Sequence, residues 1–536
     1  MEAYKGNTKN QSEGFSESFF QFCRNHKISI YIVLLMIFLT YGFMLFHFSF
    51  SIDTEDIIIK QMEFYNGWLA INRYGLVFTK WLTGLLSIIP GFAAILMAAT
   101  TFVYSLAWMY FFYWIKGKNC GRTELCWVFP VVFFSSVPMV EQTNFQCQSF
   151  EIAFAMLICA AALFLEWKWI LSGKFLRLLL SILLGVWCFA SYQAFVPIYI
   201  SASLTSFVLA YHYRNEEVGG QVILISAKLF AFFLCDYLIF SLLGKLLRFL
   251  KGIGAGAYTD NMIHWGKYPL HEIVSSLKIY AGDVILGRNI FWNRGYLFVC
   301  IGLLLTVFWK IRKKAAEHKF YLYYVLVIFM LLASPFFLPV LLGSPPVVRG
   351  QLALPFVVAA GAQMIGERIL ENTEKLSEHF EFIRAAAAGL LLLLIFRGNI
   401  VPGNRLLYSE YVVRRQENTL TEQLTSKVAE MGGTEESTVV ILGIWSPACN
   451  PSMVQGETLG HSFYEWDQTI PGSTCNRVLN YWSSLGYTYQ KPDDEHWKKA
   501  EKLGEEMPSW PQQGSVIRDE DMIVIKMSEP VLLFTD

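Results

Sequence analysis

The sequence predicts a mainly α-helical protein: a bundle of membrane-spanning helices followed by a small α/β domain. Three observations predict this fold class. Hydrophobic residues make up 54% of the 536 residues and only 16% are charged, whereas soluble globular domains are about 25% charged. The apolar residues form long runs, many of which approach the ~20 residues needed to cross a bilayer. These runs stop near residue 402, and an acidic segment without long apolar runs follows.

We predict about eleven membrane-spanning segments in the first 402 residues. The first is too long for a signal-peptide core and lacks a small-x-small cleavage pattern, so we interpret it as a retained anchor. The predicted spans are 28–50, 91–115, 125–140, 149–166, 175–190, 194–211, 221–243, 295–309, 320–342, 351–366 and 382–397. The predicted domains are a cytoplasmic N-terminal tail (1–27), a transmembrane domain (28–402) and an extracytoplasmic soluble domain (403–536).

Basic residues in the short loops orient this bundle, because cytoplasmic loops carry an excess of lysine and arginine. Arg24 and Lys27 precede the first span. Alternate loops after it contain Lys116, Lys118, Arg122, Lys168, Lys174, Arg177, Arg214, Lys310, Arg312, Lys313, Lys314 and Lys319. We therefore place the N-terminus in the cytoplasm. An odd number of spans then places the C-terminal domain outside, together with two long loops at 51–75 and 244–294.

Charge and cysteine content exclude several classes of protein. The 43 basic and 43 acidic residues cancel, which disfavours a nucleic-acid-binding protein. The charge is unevenly distributed, since residues 403–536 contain 20 acidic and 11 basic side chains. No Cys-x-x-Cys pair is present, which excludes a zinc ribbon. Cys449 and Cys475 are the only cysteines of the predicted outer domain. An oxidising compartment permits a disulfide between them, and we predict that they lie close enough to be bridged.

Three carboxylates, Asp53, Glu55 and Asp56, directly follow the first predicted span. Carboxylates at a membrane boundary usually face water, a cation or a substrate. One of them could act as a general base that takes a proton from a sugar hydroxyl. Alternatively, they could hold a divalent cation beside a phosphate. A third interpretation is structural, with Asp53 or Thr54 as the N-cap of the next helix.

Polar residues in the other predicted outer loops suggest a binding site for a phosphorylated sugar. Arg73 and Arg349 could pair with a phosphate through their planar guanidinium groups, although Arg73 could instead extend to a lipid headgroup. Arg349 has no acidic neighbour in sequence, so its partner must come from elsewhere in the chain or from a ligand. Amides and hydroxyls suit sugars, which need both donors and acceptors. The candidates are Glu141, Gln142, Tyr192 and Gln193.

The acidic C-terminal segment has the pattern of a small α/β domain. Residues 408–431 show the periodicity of an amphipathic helix. The runs at 437–443 and 522–526 are typical of buried strands.

The many apolar helices with an acidic motif after the first span resemble polytopic lipid-linked sugar transferases of the GT-C type. The order Ser51-Ile-Asp-Thr-Glu-Asp56, Asn72-Arg-Tyr-Gly75, Ser191-Tyr-Gln193 and Arg349 more closely resembles the bacterial Gtr type II family of O-antigen glucosyltransferases. Thr54 separates the acids, so the sequence leaves open which acid is the base.

This resemblance implies transfer of a hexose, usually glucose, from undecaprenyl phosphate to a polysaccharide or lipid-linked glycan on the outer face of a bacterial cytoplasmic membrane. Asp53 would deprotonate the acceptor hydroxyl, and Arg73 or Arg349 would contact the phosphate. Whether a divalent cation takes part is left open. Two alternatives remain, a polysaccharide polymerase or ligase and a transporter of lipid-linked glycans. Asp236, inside the seventh predicted span, favours transport to a small degree.

Overall fold

A computed structural model describes residues 18–117, 123–214, 219–256, 261–313, 318–373, 380–468 and 470–529. The helices are α1 (Phe19–Asn25), α2 (Lys27–Phe46), α3 (Thr54–Ile59), α4 (Gln61–Ala70), α5 (Tyr74–Thr83), α6 (Pro90–Lys116), α7 (Val128–Phe134), α8 (Val137–Asn144), α9 (Ser149–Ser172), α10 (Phe175–Ser191), α11 (Phe195–Tyr213), α12 (Val222–Lys251), α13 (Leu270–Leu286), α14 (Gly295–Lys313), α15 (His318–Ala333), α16 (Phe337–Leu342), α17 (Ala353–Thr373), α18 (Phe380–Ile395), α19 (Val401–Glu430), α20 (Ser473–Ser484) and α21 (Asp494–Gly504). The strands are β1 (Thr438–Leu442), β2 (Val516–Asp519) and β3 (Met522–Lys526).

Eight helical segments of the described residues are long and apolar enough to cross a membrane. They are Lys27–Phe46, Pro90–Lys116, Ser149–Ser172, Phe195–Tyr213, Val222–Lys251, Tyr323–Leu342, Ala353–Glu371 and Glu381–Glu430. Two shorter apolar helices are Phe175–Ser191 and Gly295–Phe308. A mainly helical, multi-pass membrane protein is therefore confirmed, whereas the number of eleven spans stays a prediction.

The predicted span at 125–140 is not a single helix. The chain leaves the helical conformation at Ser136, whose φ of −61° and ψ of 144° are extended. Pro138 in the first turn of α8 accounts for this break, because it has no N–H to donate to the carbonyl of Phe134 four residues earlier and its ring would clash with that carbonyl in a continuous helix. Every residue of α7 and α8 is buried. This segment is thus enclosed by other helices, and its C-terminal end supplies Glu141 and Gln142 to the site described below.

Helix α9 is central to the bundle and packs along α6 and α10. The indole Nε1 of Trp108 on α6 donates to the backbone oxygen of Met156 at 3.1 Å, and Trp167 donates to Ser206 Oγ on α11 at 2.8 Å. These bonds satisfy the only polar atom of each buried indole. They fix the positions of α6 and α11 relative to α9, whose N-terminal end lies at the candidate site.

A continuous helical path connects the last apolar helix to the C-terminal segment. Helix α18 continues through a π-helical turn at Phe396–Ile400 into α19. Positions 402 and 403 therefore lie within a helix, and the predicted amphipathic helix at 408–431 is the second half of this path. The C-terminal segment is consequently connected to the apolar bundle by a continuous helix.

The C-terminal segment contains a three-stranded sheet in the order β1-β3-β2. Strand β3 pairs in parallel with β1, with Val440 opposite Val524, and antiparallel with β2, with Ile517 opposite Val524. The strands predicted at 437–443 and 522–526 are confirmed as β1 and β3. Helix α21 packs on β1 and β3, whereas α20 packs on both β1 and α3. Helix α20 thereby joins the sheet to the loop after the first apolar helix.

The predicted disulfide between Cys449 and Cys475 is wrong, since both cysteines are free thiols. Cys475 on α20 is buried beneath β1, and its Sγ accepts a hydrogen bond from the Ile441 backbone N–H at 3.2 Å. Burial raises the pKa of the Cys475 thiol to about 12. Cys449 is exposed. Sequence spacing permitted the bridge, but the packing of α20 against the sheet turns Cys475 inward.

Several residues used for the prediction of orientation lie outside the described residues. These are Lys118, Arg122 and Lys314, together with residues 1–17 of the predicted N-terminal tail. Of the basic residues at the predicted inner end, Lys116 is buried and forms an ion pair with Glu367 at 2.5 Å.

Candidate active site

The acidic motif begins with a residue in an uncommon backbone conformation. Asp53 precedes α3 with a φ of 69°, in the left-handed region. Non-glycine residues in this region are often found at functional sites, where the surrounding structure holds the strained backbone. Asp53 occupies the N-cap position, yet its side chain makes no capping hydrogen bond. The side-chain oxygen of Thr54 is also buried and forms no hydrogen bond with any residue that the structure describes. The N-cap interpretation of these residues therefore loses its physical basis.

One arginine from the C-terminal segment contacts two of the three acids. Nη1 of Arg477, on α20, lies 2.6 Å from Glu55 Oε1 and 3.3 Å from Asp53 Oδ1. One turn later on the same helix, Asn480 Nδ2 donates to Asp56 Oδ1 at 2.6 Å. Carboxylate oxygens of the three acids lie within 4.8 Å of one another, a spacing that would also suit a cation. Arg477 supplies a positive charge to this cluster from within the chain.

Glu55 and Asp53 differ in access to solvent, and burial raises the pKa of both. Glu55 is completely buried, and its Oε2 has no hydrogen-bond partner among the described residues. Burial and the charge of Asp53 raise the pKa of Glu55 well above its usual range. Burial also raises the pKa of Asp53, against the opposing charges of Arg477 and Arg349. The side chain of Asp53 is nevertheless 36% exposed. Asp53 is therefore the more accessible of these two carboxylates.

Arg349 lies close to the acids and is paired with the C-terminal segment. Its Nη1 is 3.5 Å from Glu457 Oε2, and its guanidinium stacks over the Phe145 ring at 4.5 Å. The Glu457 carboxylate also accepts a hydrogen bond from the Val348 backbone N–H at 2.7 Å. Nη1 of Arg349 is buried and donates no hydrogen bond to the described residues. The partner expected from elsewhere in the chain is thus Glu457, in an ion pair that leaves a buried donor unused.

Glu141 and Gln142 are adjacent but have different surroundings. The Glu141 carboxylate accepts hydrogen bonds from the backbone N–H groups of Glu457 and Thr458, at 2.8 and 3.2 Å, and from Thr458 Oγ1 at 2.8 Å. It therefore anchors the segment that carries the partner of Arg349. Both amide atoms of Gln142 are buried without a hydrogen bond to any described residue.

Arg73, Tyr192 and Gln193 form a second group. Arg73 Nε donates to Gln193 Oε1 at 3.2 Å, and its guanidinium lies 4.6 Å from the centre of the Tyr192 ring. Arg73 Nη1 donates to Gln148 Oε1 at 3.1 Å. Gln193 in turn donates to the Ile71 backbone oxygen. Three predicted residues from two separate loops are thus brought together, and Arg73 uses two of its donors to hold glutamine side chains.

The segment between α8 and α9 connects these two groups. Ser51 Oγ donates to the Asn144 backbone oxygen at 3.3 Å, and Gln146 Nε2 donates to the Ser49 backbone oxygen at 2.7 Å. Cys147 is close enough to Asp53 and Arg349 for both charges to affect the pKa of its thiol, which burial raises well above the usual range. Asp53, Arg349 and the 144–148 segment therefore belong to one site.

This segment contains many buried polar atoms without partners. In folded proteins most buried polar atoms are hydrogen-bonded to protein or to ordered water. The unpartnered atoms here, with respect to the described residues, are Gln142 Oε1 and Nε2, Asn144 Oδ1 and Nδ2, Gln146 Oε1, Ser149 Oγ and Glu151 Oε2. Ordered water or a polar ligand would complete the hydrogen bonds of these donors and acceptors.

Sequence reasoning missed several charged residues of this site. Lys80 on α5 is buried and pairs with Glu151 at 2.9 Å. The only sequence signal for it was a lysine within an apolar run. Arg477, Asn480 and Glu457 come from the C-terminal segment, where charged residues are frequent and nothing in the local pattern distinguishes these three.

The comparisons with known proteins identify one family. Residues 42–365 match the family described as Glucosyl transferase GtrII. No curated protein and no solved structure matches the chain significantly. All nine predicted site residues lie within the matched region, whereas Glu457, Arg477 and Asn480 lie beyond it. Because the match covers more than half of the 536 residues, the chain belongs to the GtrII glucosyl transferase family.

Proposed function

We propose that this protein moves a hexose, glucose in the first instance, from a polyprenyl-phosphate carrier to a cell-surface polysaccharide such as O-antigen. The transfer takes place on the outer face of the bacterial cytoplasmic membrane. The observation that supports this proposal most is the combination, in one site, of an accessible carboxylate, an arginine whose Nη1 donor is buried and unused, and side-chain amides without partners among the described residues. A base, a phosphate ligand and a sugar-binding surface are the groups that such a transfer requires.

Asp53 is the proposed general base. A base must reach the proton that it removes, and Asp53 is partly exposed while Glu55 is buried. One carboxylate oxygen of Asp56 accepts a hydrogen bond from Asn480 and is therefore already engaged. The raised pKa of Asp53 makes it a stronger base than an ordinary aspartate. Glu55 and Asp56 then complete the acidic cluster around Asp53.

Arg349 is the proposed ligand of the carrier phosphate. Two of the Arg73 donors are engaged by Gln193 and Gln148, so Arg73 organises glutamine side chains around the site. Arg349 keeps a buried Nη1 without a hydrogen bond. A phosphate oxygen would satisfy this donor with a charge-assisted bond, which is about twice as strong as a neutral one.

Gln142 and Asn144 are the proposed contacts to the sugar. Each side-chain amide offers both donors and acceptors, as the hydroxyl groups of a hexose require. The amide atoms of Gln142 and Asn144 form no hydrogen bonds with the described residues. Hydroxyl groups of a bound sugar would supply the missing partners.

In the proposed reaction an acceptor hydroxyl attacks the anomeric carbon of the sugar. The new glycosidic bond forms as the bond between the anomeric carbon and the phosphate oxygen breaks, and that electron pair leaves with the polyprenyl phosphate. The hydroxyl proton moves to Asp53. Arg349 stabilises the negative charge that develops on the leaving phosphate. No nucleotide is needed, since the carrier lipid supplies the activated sugar.

Transport of a lipid-linked glycan is a second candidate, and one observation favours it. Asp236 is buried within α12, and neither of its carboxylate oxygens accepts a hydrogen bond from the described residues. Ionisable residues inside membrane helices often mark transport pathways. If the protein is a transporter, Asp236→Asn will abolish its effect on the cell surface, and Asp53→Asn will have little effect.

The experiment that tests the proposed function compares cell-surface glycans from cells with and without the gene. We expect one additional glucose branch on the polysaccharide when the protein is present, identified by linkage analysis. A polymerase would change the chain length instead, and a transporter would change the amount of glycan at the surface without a new linkage.

A further inference from the structure

The C-terminal segment contacts the candidate site at two separate points. Helix α20 packs against α3 and places Arg477 and Asn480 on the acids. Independently, Glu457 pairs with Arg349, and the backbone beside it binds Glu141. Both contacts come from beyond the region that matches the family. The matched region alone therefore lacks residues that surround the proposed base.

The Arg477 side chain is held in place by a third acid. Its Nε lies 2.6 Å from Asp467 Oδ2, on the side of the guanidinium away from Nη1. Only 14% of the Arg477 side chain is exposed. An arginine fixed at Nε presents Nη1 in one direction, because the guanidinium group is planar. Nη1 is the atom that contacts both Glu55 and Asp53.

The two Arg477 contacts to the acids are unequal, and the difference suits a base at Asp53. The contact to Glu55 is short at 2.6 Å, whereas the contact to Asp53 is 3.3 Å. Asp53 Oδ2 accepts no hydrogen bond from the described residues and can receive a proton. Arg477 thus makes its closest contact with the buried Glu55 and orients Asp53 through one oxygen only.

The positive charge of Arg477 favours the ionised form of Asp53. The carboxylates of Asp53 and Glu55 repel each other when both are ionised. If no cation were nearby, one of them would therefore be protonated. The positive charge of Arg477 counteracts the effect of burial on the pKa of Asp53. Removal of this charge would raise the pKa of Asp53 further, and a protonated carboxyl group cannot act as a base.

We propose that Arg477 is a positioning residue for Asp53, through which the C-terminal segment completes the active site. This inference rests on the proposed function, since it requires Asp53 to be the base. Arg477 acts through the carboxylate and does not contact the substrate.

The test uses the full chain in membranes, with polyprenyl-phosphate-[14C]glucose as donor and surface polysaccharide from the source cells as acceptor. We expect Arg477→Gln to lower kcat by about tenfold to a hundredfold, because the carboxylate is no longer aligned. The acidic limb of the pH–kcat profile should also move to higher pH. Arg477→Lys keeps the charge but loses the planar geometry, so kcat should fall while the limb stays close to that of the unsubstituted protein.

Arg518→Gln is the matched control for loss of an arginine from the same segment. Arg518 is exposed on β2 and donates to the backbone oxygens of Met431 and Gly432, away from the acids. We expect the Arg518→Gln variant to have the same kcat and the same pH profile as the unsubstituted protein. If Arg477→Gln fails to accumulate, Asp467→Asn decides instead. It removes the Nε anchor but leaves the Arg477 charge in place, so kcat should fall while the acidic limb does not move to higher pH; an unchanged kcat would overturn the inference.

Two results would overturn the inference: an Arg477→Gln variant with unchanged kcat, or one whose activity falls equally at every pH. The second result would indicate a purely structural role. Failure of the proposed function is distinguishable, since the unsubstituted protein would then transfer no glucose. Failure of Asp53 as the base would instead appear as normal transfer by Asp53→Asn. If Asp53→Asn is inactive and Arg477→Gln behaves like the unsubstituted protein, only the inference is wrong.

Discussion

Replacement of Arg349 tests the proposed binding of the carrier phosphate. The Arg349 side chain is 14% exposed, its guanidinium lies over Phe145, and its buried Nη1 donates no hydrogen bond to the described residues. A hydrogen bond to a charged group contributes about 1.5–3 kcal/mol, which corresponds to about tenfold to about 150-fold in affinity. We therefore expect Arg349→Ala to raise KM for the lipid donor by a factor in this range.

The effect of Arg349 on kcat separates two roles. If the arginine contacts the phosphate equally in the bound state and in the transition state, only KM changes. If it also stabilises the charge on the leaving phosphate, kcat falls as well. The assay is transfer of [14C]glucose at varied donor concentration, with direct binding of the labelled donor measured in parallel.

Glu457→Gln tests the other member of the ion pair, because Glu457 is the partner of Arg349. It removes the charge opposite Arg349 while it keeps a side chain that can accept from the Val348 backbone N–H. The freed cation should then bind the donor more tightly, so KM should fall. An Arg349→Ala variant with unchanged KM and unchanged donor binding would refute the assignment of the phosphate to this residue.

The remaining predictions concern topology, thiols and pH. Reporter fusions at Asn404 and within 57–66 should be active only in formats that require export, and a cytoplasmic result at either point would remove the lipid-carrier hypothesis. Cys449 should react with a maleimide in the folded protein, whereas the buried Cys475 should react only after denaturation; equal labelling of both would contradict the packing of α20. Because burial raises the pKa of Asp53 above its ordinary value of 3.8, and a base must be ionised, activity should fall as the pH drops through that raised pKa. An acidic limb at or below pH 3.8 in the kcat/KM profile would argue against Asp53 as the base.

Much of the fold could be predicted from the sequence because its main signal is composition. Long apolar runs predict membrane helices directly, and short runs rich in β-branched residues predicted the buried strands β1 and β3. The segment 125–140 was apolar enough for a span, but a break at Ser136 and Pro138 divides it into two short buried helices. Apolarity alone does not distinguish a lipid-facing helix from one enclosed by other helices.

The candidate site was predictable only in part, for a physical reason. Asp53, Arg73 and Arg349 stood out because charged residues are costly next to apolar segments. Arg477 and Glu457 carry the same charges in an ordinary acidic segment, where a charge is unremarkable. Their importance arises from long-range packing of α20 and the 456–458 segment, which no local pattern encodes. The predicted disulfide failed for the same reason, since spacing does not reveal which way a helix faces.

The proposed chemistry depends on the negative charge of Asp53, which Asp53→Asn removes with almost no change in size. The most direct measurement of the central claim is kcat for glucose transfer by this variant, together with its affinity for the lipid donor. We expect kcat to fall about a hundredfold or more, with expression and donor binding retained, and with Glu55→Gln and Asp56→Asn less affected. Normal transfer by all three amide variants would contradict the account.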